Sequence, residues 1–511
     1  MTRTRNSIRN TTFALTISLI TILIGLVAQK VFLKTMGTEY LGINGLFTSV
    51  VSLLGLAELG MGSAIYYHLY KPVAEGDTAK VKSLVDFYKI GYRVVAAAVF
   101  VLGFCLLPFL SRIVGHVNIS ESIYIVYLLF LIDIVFSYLL TYKRSVLYVD
   151  QNNHIISTIH LGYLFALNAF QIAALIITGN FYLYLVIKIF MRLVENVALT
   201  IITNRKYPYL KDKAVEKLDS ATKKDVYKKI RGLSFHKVGT YVVIGTDNII
   251  ISIFFGVATV GLYSNYLLVI SAIGMLMTQA FTAITASVGN LLVTAKNNKS
   301  FEVYKKLRFG NFWLSCFAAT SILVIMNSFI TLWVGKQYLL TLGVLIALSI
   351  NLYSSLIRST ISSFKDAAGI YHIDRYVPVV ESIANIVFAI LFIKILGLAG
   401  VFIGTICSTL ILHLFSYPKY VYKPLFKQSY RLYYLAFLKN LIIALIVGGV
   451  TFAISRSVAV NGKLSTFIAN VLICLIVPNL MLYIIFRKNA EFDYYLQLAK
   501  KMMRSATRQS A

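Results

Sequence analysis

The stretch TTFALTISLITILIGLVAQKVFL, Thr11–Leu33, carries one charge, Lys30, in 23 residues. A helix rises about 1.5 Å per residue, so about 20 apolar residues cross the hydrocarbon layer of a bilayer. The basic N-terminus MTRTRNSIRN before it would suit a secretory signal. The apolar run, however, exceeds the roughly 7–15 residues of a signal's core, and no A-x-A cleavage site follows. It reads as an uncleaved first transmembrane helix.

The rest of the chain repeats this pattern. Of 511 residues, 58% are hydrophobic and 14% charged, against about 45–50% and 25% in a soluble domain. Lipid must therefore be the main solvent of the folded chain. Fourteen stretches qualify as spans: 11–33, 41–69, 90–110, 122–141, 155–178, 181–203, 233–255, 259–290, 309–334, 338–362, 376–395, 398–417, 433–455 and 464–486. Tyrosines at span ends, as at Tyr66–Tyr67, Tyr182–Tyr184 and Tyr433–Tyr434, fit an interfacial belt. The four cysteines, Cys105, Cys316, Cys407 and Cys474, lie in apolar runs without metal-ligand spacing and read as small buried hydrophobes.

The formal net charge of +29 would suggest nucleic acid in a soluble protein. Here the positions of the charges decide otherwise. The even-numbered loops are basic; the sixth carries ten Lys/Arg between Arg205 and Arg231. The odd-numbered loops are short, and TGNFY (178–182) and GVATV (256–260) have no basic residue. By the positive-inside rule both termini are expected in the cytoplasm, and no nucleic-acid partner is needed.

An offset of 219 residues lays MGTEYLGINGLFTSVVS (36–52) over FGVATVGLYSNYLLVIS (255–271), bringing Gly37 onto Gly256 and Gly42 onto Gly261. Both repeats begin on the same side, so they are parallel, as in two-lobed transporters. The expected fold is an all-α integral membrane protein with about fourteen transmembrane helices. Its parts would be a six-helix lobe at 1–204, a basic cytoplasmic connector at 205–232, a second six-helix lobe at 233–430, and two further helices with a basic tail at 431–511.

The stretches GTEYLGINGL (Gly37–Leu46) and LAELGMGSA (Leu56–Ala64), with the span layout and central basic loop, resemble bacterial Wzx-type polysaccharide flippases. These belong to the multidrug/oligosaccharidyl-lipid/polysaccharide exporter superfamily. The resemblance implies alternating-access transport of undecaprenyl-pyrophosphate-linked oligosaccharide from the inner to the outer leaflet of the bacterial cytoplasmic membrane. Its implied partners are that cargo, membrane lipids, glycosyltransferases and a polysaccharide polymerase.

Charges inside a span each cost about 2.5–3.5 kcal/mol on insertion scales, so each needs a reason. Lys188, Arg192 and Glu195 in IKIFMRLVEN fall on one stripe of a helix. That stripe would bind a pyrophosphate or acidic sugar, Lys188 as a point charge and Arg192 as a fork. The alternative is an internal Arg192–Glu195 pair with Lys188 snorkelling outward. His236 and Lys237 near an inner span end are candidates to steer an anionic head group, or are snorkelling side chains. Glu58, Asp133, Asp247 and Glu381, with Glu195, are the acids open either to ion coupling or to structural pairing. No cofactor is expected; coupling would draw on a proton or sodium gradient. Gly60-Met61-Gly62 is a candidate hinge and Pro378 a candidate kink.

The chain has no P-loop, nucleophile elbow or H-E-x-x-H. A membrane glycosyltransferase would need a large extramembrane loop with clustered acids or histidines, and the outer loops are tiny. The rivals are a peptidoglycan-precursor flippase, whose cargo is also a lipid pyrophosphate, and a cation-coupled multidrug exporter, which favours an acidic, aromatic cavity.

Overall fold

The structure is a computed structural model that describes the backbone of residues 3–58, 60–212, 218–294, 297–370, 373–458 and 460–509. Within these, side chains are described except at 3–15, 57, 63, 231–241, 243–244, 283, 286, 293, 297–298 and 502–509. The longer elements, all helices, are α1 (Arg3–Met36), α2 (Thr38–Leu54), α3 (Met61–Glu75), α4 (Thr78–Cys105), α5 (Leu110–Val114), α6 (Ile123–Leu139) and α7 (Arg144–Val149). They continue as α8 (Asn153–Thr178), α9 (Phe181–Lys206), α10 (Ser220–Phe255), α11 (Val257–Thr294), α12 (Asn297–Trp333), α13 (Leu342–Ile357) and α14 (Ser359–Ala367). The last are α15 (Val377–Leu396), α16 (Leu398–Ile411), α17 (Lys423–Phe426), α18 (Tyr430–Ser457), α19 (Lys463–Phe486) and α20 (Ala490–Gln509). Between α16 and α17 the chain runs in a wide π-helical turn, Leu412–Tyr422, that accommodates Pro418. No strand occurs among the described residues.

Local chemistry sets the ends of these helices. Asp77, Asn180 and Asp219 accept hydrogen bonds from the amides of Lys80, Leu183 and Thr222, satisfying first-turn donors of α4, α9 and α10. Gly76 and Gly179 close α3 and α8 in the left-handed region.

Among the described residues eleven segments, from Thr16–Met36 to Lys463–Phe486, are long and apolar enough to cross a membrane, and the chain is a multi-pass membrane protein. Each of the eleven coincides with one expected span. The other three stretches are helical but fall short for separate reasons. The stretch 41–69 breaks into α2, a 3-10 turn and α3 at Gly60, whose φ of 80° lies in the left-handed region. The stretch 181–203 is continuous in α9 but carries three charges. In 233–255 the described apolar part is Gly245–Phe255. Pro378 lies in the first turn of α15, where proline is tolerated, so it starts that helix and does not kink it.

Packing divides the chain into two compact units: Thr16–Asn265 with Arg375–Ile386, and Met1–Leu15 with Tyr266–Asp374 and Val387–Ala511. In the first, α6 packs between α4 and α9, α8 packs on α9, and α10 packs on α2 and α3. The compact units therefore do not part at the basic connector, and lobes at 1–204 and 233–430 stay a proposal about the order of spans. In the second unit α12 is the centre, with α13, α18 and α19 around it. Phe312, Cys316, Val447 and Leu482 fill that core, and Asn311 Nδ2 donates to the carbonyls of Leu356 (3.1 Å) and Ile357 (3.0 Å) at the end of α13. Helix α20 returns Phe492 and Tyr495 to the rings of Trp313 and Phe309.

Candidate functional site

Helices α6, α7, α8 and α9 bring six ionisable side chains together. Asp133 on α6 accepts from two cations one turn apart on α9: Lys188 Nζ is 3.3 Å from Oδ2, and Arg192 Nε is 3.2 Å from Oδ1. Glu195 lies a turn further along. Its Oε2 is 3.8 Å from Arg192 Nη1 and 3.7 Å from Arg144 Nη2 on α7. On α8, His160 Nδ1 lies 2.9 Å from Glu195 Oε1. An ionised carboxylate only accepts, so the ring nitrogen is the donor. Asn196 fixes the far side, accepting from Arg144 Nη2 (2.5 Å) and donating to the Phe136 carbonyl (3.0 Å). Two rings complete the wall: Lys188 Nζ is 4.6 Å from the Phe130 centroid, and the Arg192 guanidinium is 5.4 Å from that of Tyr163.

Exposure sorts these groups into layers. The carboxylates are sunk, with Glu195 1% and Asp133 10% exposed, whereas Lys188, Arg192 and Arg144 keep 22–25% and His160 48%. Three permanent cations face two carboxylates, an excess of one positive charge that becomes two when His160 is protonated. The Arg144 Nε is buried and makes no hydrogen bond. An accessible, net-cationic surface backed by buried acids is suited to holding an anion through charge-assisted hydrogen bonds. Arg192 lies eleven residues into α9, about 16 Å from its start, which is near mid-membrane for a spanning helix.

Of the residues singled out in the sequence, Lys188, Arg192, Glu195 and Asp133 meet here. Arg192 does approach Glu195, but Lys188 does not snorkel; it shares Asp133. Arg144 reads from the sequence as a loop charge, and His160 carries only the signal of a histidine within an apolar span; neither is singled out by sequence reasoning. Glu58 lies elsewhere, between α2 and α3, accepting from Tyr92 Oη at 3.2 Å. Asp247 on α10 and Glu381 on α15 are both buried, and Thr246 Oγ1 donates to Asn385 Oδ1 (3.3 Å) between the same two helices. His236 and Lys237 fall in α10, and their side chains lie outside the described residues.

The helical arrangement matches solved transporters along most of its length. The lipid II flippase MurJ, in an inward closed conformation, superposes with a TM-score of 0.64 at 16% identity, covering 93% of this chain and 99% of that one. This chain has the fold of a membrane transporter. A multidrug resistance MATE family transporter of the MOP superfamily, inward-facing, gives 0.58 at 15% identity over 78% of this chain and 95% of that one. The Vibrio cholerae MATE transporter VcmN, solved as a point mutant, gives 0.56 at 14% identity over 84% and 98%. No protein-family model matches the sequence, and comparison with curated proteins finds no match.

Proposed function

We propose that this protein flips undecaprenyl-pyrophosphate-linked oligosaccharide from the inner to the outer leaflet of the bacterial cytoplasmic membrane, by alternating access, for surface polysaccharide synthesis. The observation that carries the reading is the excess of partly exposed cations at Lys188, Arg192 and Arg144 over the sunken Asp133 and Glu195. A cationic compound would be repelled there, whereas a pyrophosphate or an acidic sugar offsets the excess. In this mechanism the cargo's anionic group displaces Asp133 from Arg192 and Lys188. The carboxylate left behind is neutralised by a proton or sodium ion, which couples transport to an ion gradient. Glycosyltransferases would supply the cargo and a polymerase would consume it. Both termini would lie in the cytoplasm, as the loop charges suggest.

A second reading, transport of a peptidoglycan precursor, is favoured by the extent of the likeness to the lipid II flippase. One experiment separates the two. In a strain lacking this protein, lipid-linked repeat units should accumulate on the cytoplasmic face and surface polysaccharide should fall. Unchanged sidedness in a strain without a redundant flippase overturns the first reading. Rescue of cells depleted of their lipid II flippase would establish the second.

A further inference from the structure

The second compact unit carries a cationic pocket that the proposed transport does not use. It opens where α12 ends and α19 begins, has a volume of about 760 Å³, and is lined by Lys336, Arg456 and Lys463 with no Asp or Glu in its wall. Lys336 and Lys463 belong to short odd-numbered loops or their edges, where basic residues are otherwise sparse. None of the three forms an ion pair among the described residues, and all three are exposed. The floor is a built polar network: Ser455 Oγ donates to Asn470 Oδ1 (2.8 Å), and Asn470 Nδ2 donates to Ser328 Oγ (3.2 Å). Helix α19 adds its positive end, since Gly462 supplies no side-chain cap to the first-turn amides.

A second cavity adjoins it. Leu323 and Phe452 line both spaces. Beyond them a crevice of about 250 Å³ runs between α12, α13 and α18, almost wholly apolar and passing Gly448 and Gly449. A Cβ built on Gly449 meets nothing within 4 Å. A polar, cationic chamber that shares Leu323 and Phe452 with an apolar slot matches the two parts of an amphiphile, an anionic head and a hydrocarbon chain.

We propose that this composite cavity binds an anionic phospholipid, its phosphodiester held by Lys336, Arg456 and Lys463 and one acyl chain laid past Leu323 and Phe452 along Gly449. Under the orientation proposed from the loop charges, the lipid comes from the outer leaflet. Charge complementarity selects the occupant: a zwitterionic headgroup brings a cation into a wall that already holds three, whereas phosphatidylglycerol brings only the anion.

The test uses the full-length protein, delipidated in detergent and given dioleoyl phosphatidylglycerol or dioleoyl phosphatidylcholine. Native mass spectrometry counts retained lipid, and the unfolding midpoint reads its effect. Phosphatidylglycerol should be retained and raise the midpoint by several degrees, while phosphatidylcholine does neither. Lys336→Gln and Lys463→Gln, both at exposed positions, should each weaken retention about fivefold. Gly449→Leu should fill the slot and abolish retention while leaving the lipid-free midpoint unchanged or higher. Equal stabilisation by both lipids overturns the proposal. Full retention in Gly449→Leu overturns the chain assignment. An equal effect of sn-glycerol 3-phosphate alone would make this a free-anion site and overturn the lipid.

Discussion

Gly42 and Gly261 face one another across the crossing of α2 and α11, and each occupies the space a side chain would need. A Cβ on Gly42 would lie 1.9 Å from the Val257 carbonyl oxygen, and a Cβ on Gly261 would lie 2.1 Å from that of Thr38. Thr38 and Val257, like Gly42 and Gly261, stand 219 residues apart, so the two contacts are the same contact seen from each repeat. Gly45 and Ser264 follow the same offset and also meet, with a Cβ on Gly45 falling 2.8 Å from Ser264 Oγ. Gly37 and Gly256, at φ 88° and 81°, make the equivalent turns into the two helices.

The crossing should not tolerate a methyl group. Gly42→Ala and Gly261→Ala should each destabilise the protein by about 1–3 kcal/mol, because the obstacle is backbone and cannot rotate away. Gly449→Ala, in open space, should be neutral or slightly stabilising through helix propensity. Thermal melts in detergent followed by size-exclusion fluorescence compare the three; an unchanged midpoint in both crossing variants would show that the helices can part.

Asp133→Ala removes the shared partner of Lys188 and Arg192. Breaking a buried pair typically costs about 3–5 kcal/mol, and the low end is expected because both cations keep partial access to solvent. Adding Arg192→Ala should recover about 1–2 kcal/mol, a coupling measurable by a double-mutant cycle in denaturant or heat. Strict additivity would mean that the Asp133–Arg192 contact contributes nothing.

Transport should follow Arg192 more closely than stability does. Arg192→Ala should abolish most export at matched protein level, and Arg192→Lys should restore only part, since lysine keeps the charge and loses the fork. Pairing Arg192→Ala with Glu195→Ala or with Asp133→Ala should leave export low. Full export in either double variant would eliminate Arg192 as a cargo ligand.

Much of this architecture was legible in the chain, and the gaps have physical causes. Apolar length alone located eleven spans, because hydrophobic burial in lipid is a property of a segment by itself. Length alone does not divide 41–69, but the break falls at Gly60, within the Gly60-Met61-Gly62 hinge candidate. The stripe of Lys188, Arg192 and Glu195 follows from helical periodicity. That Asp133 serves the first two, and that Arg144 and His160 close on the third, follows from how α6, α7 and α8 pack on α9, which no periodicity encodes. The glycine offset pointed to a repeat, but that Gly42 and Gly261 meet at one crossing is seen only in the structure.

Membrane sidedness can be read by labelling in intact cells. After Cys105, which is exposed, and the three other cysteines are replaced, single cysteines in 178–182 and 256–260 should react with an impermeant maleimide, and cysteines in 218–229 should not. Labelling of the latter from outside would reverse the proposed orientation.

At the proposed cytoplasmic side, Asp225 on α10 is bound by His68 Nε2 at 3.1 Å and by Lys229 Nζ at 3.5 Å. The His68 hydrogen bond, with Lys229 adding to it, holds the Asp225 carboxyl below its usual 3.8. A depressed value stabilises the folded form above the unfolded pKa and is lost as pH falls through the folded one. Asp225→Asn should therefore melt slightly below wild type at pH 7, and the gap should close as the pH is taken below 3.8. A gap that persists in acid would assign the effect to shape and not to charge.

Helix α9 carries three charges that oppose its entry into lipid; Arg192 and Glu195 can face each other within the helix, but Lys188 finds its carboxylate only on α6, at Asp133. During synthesis α6 emerges first, already holding Asp133. The nascent α9 can then leave the translocation channel against a ready counter-charge, so its insertion is a cooperative event that depends on a helix made earlier in the chain. Substitutions at Asp133 would accordingly show themselves first as misinserted or degraded chains, before any effect on the finished protein.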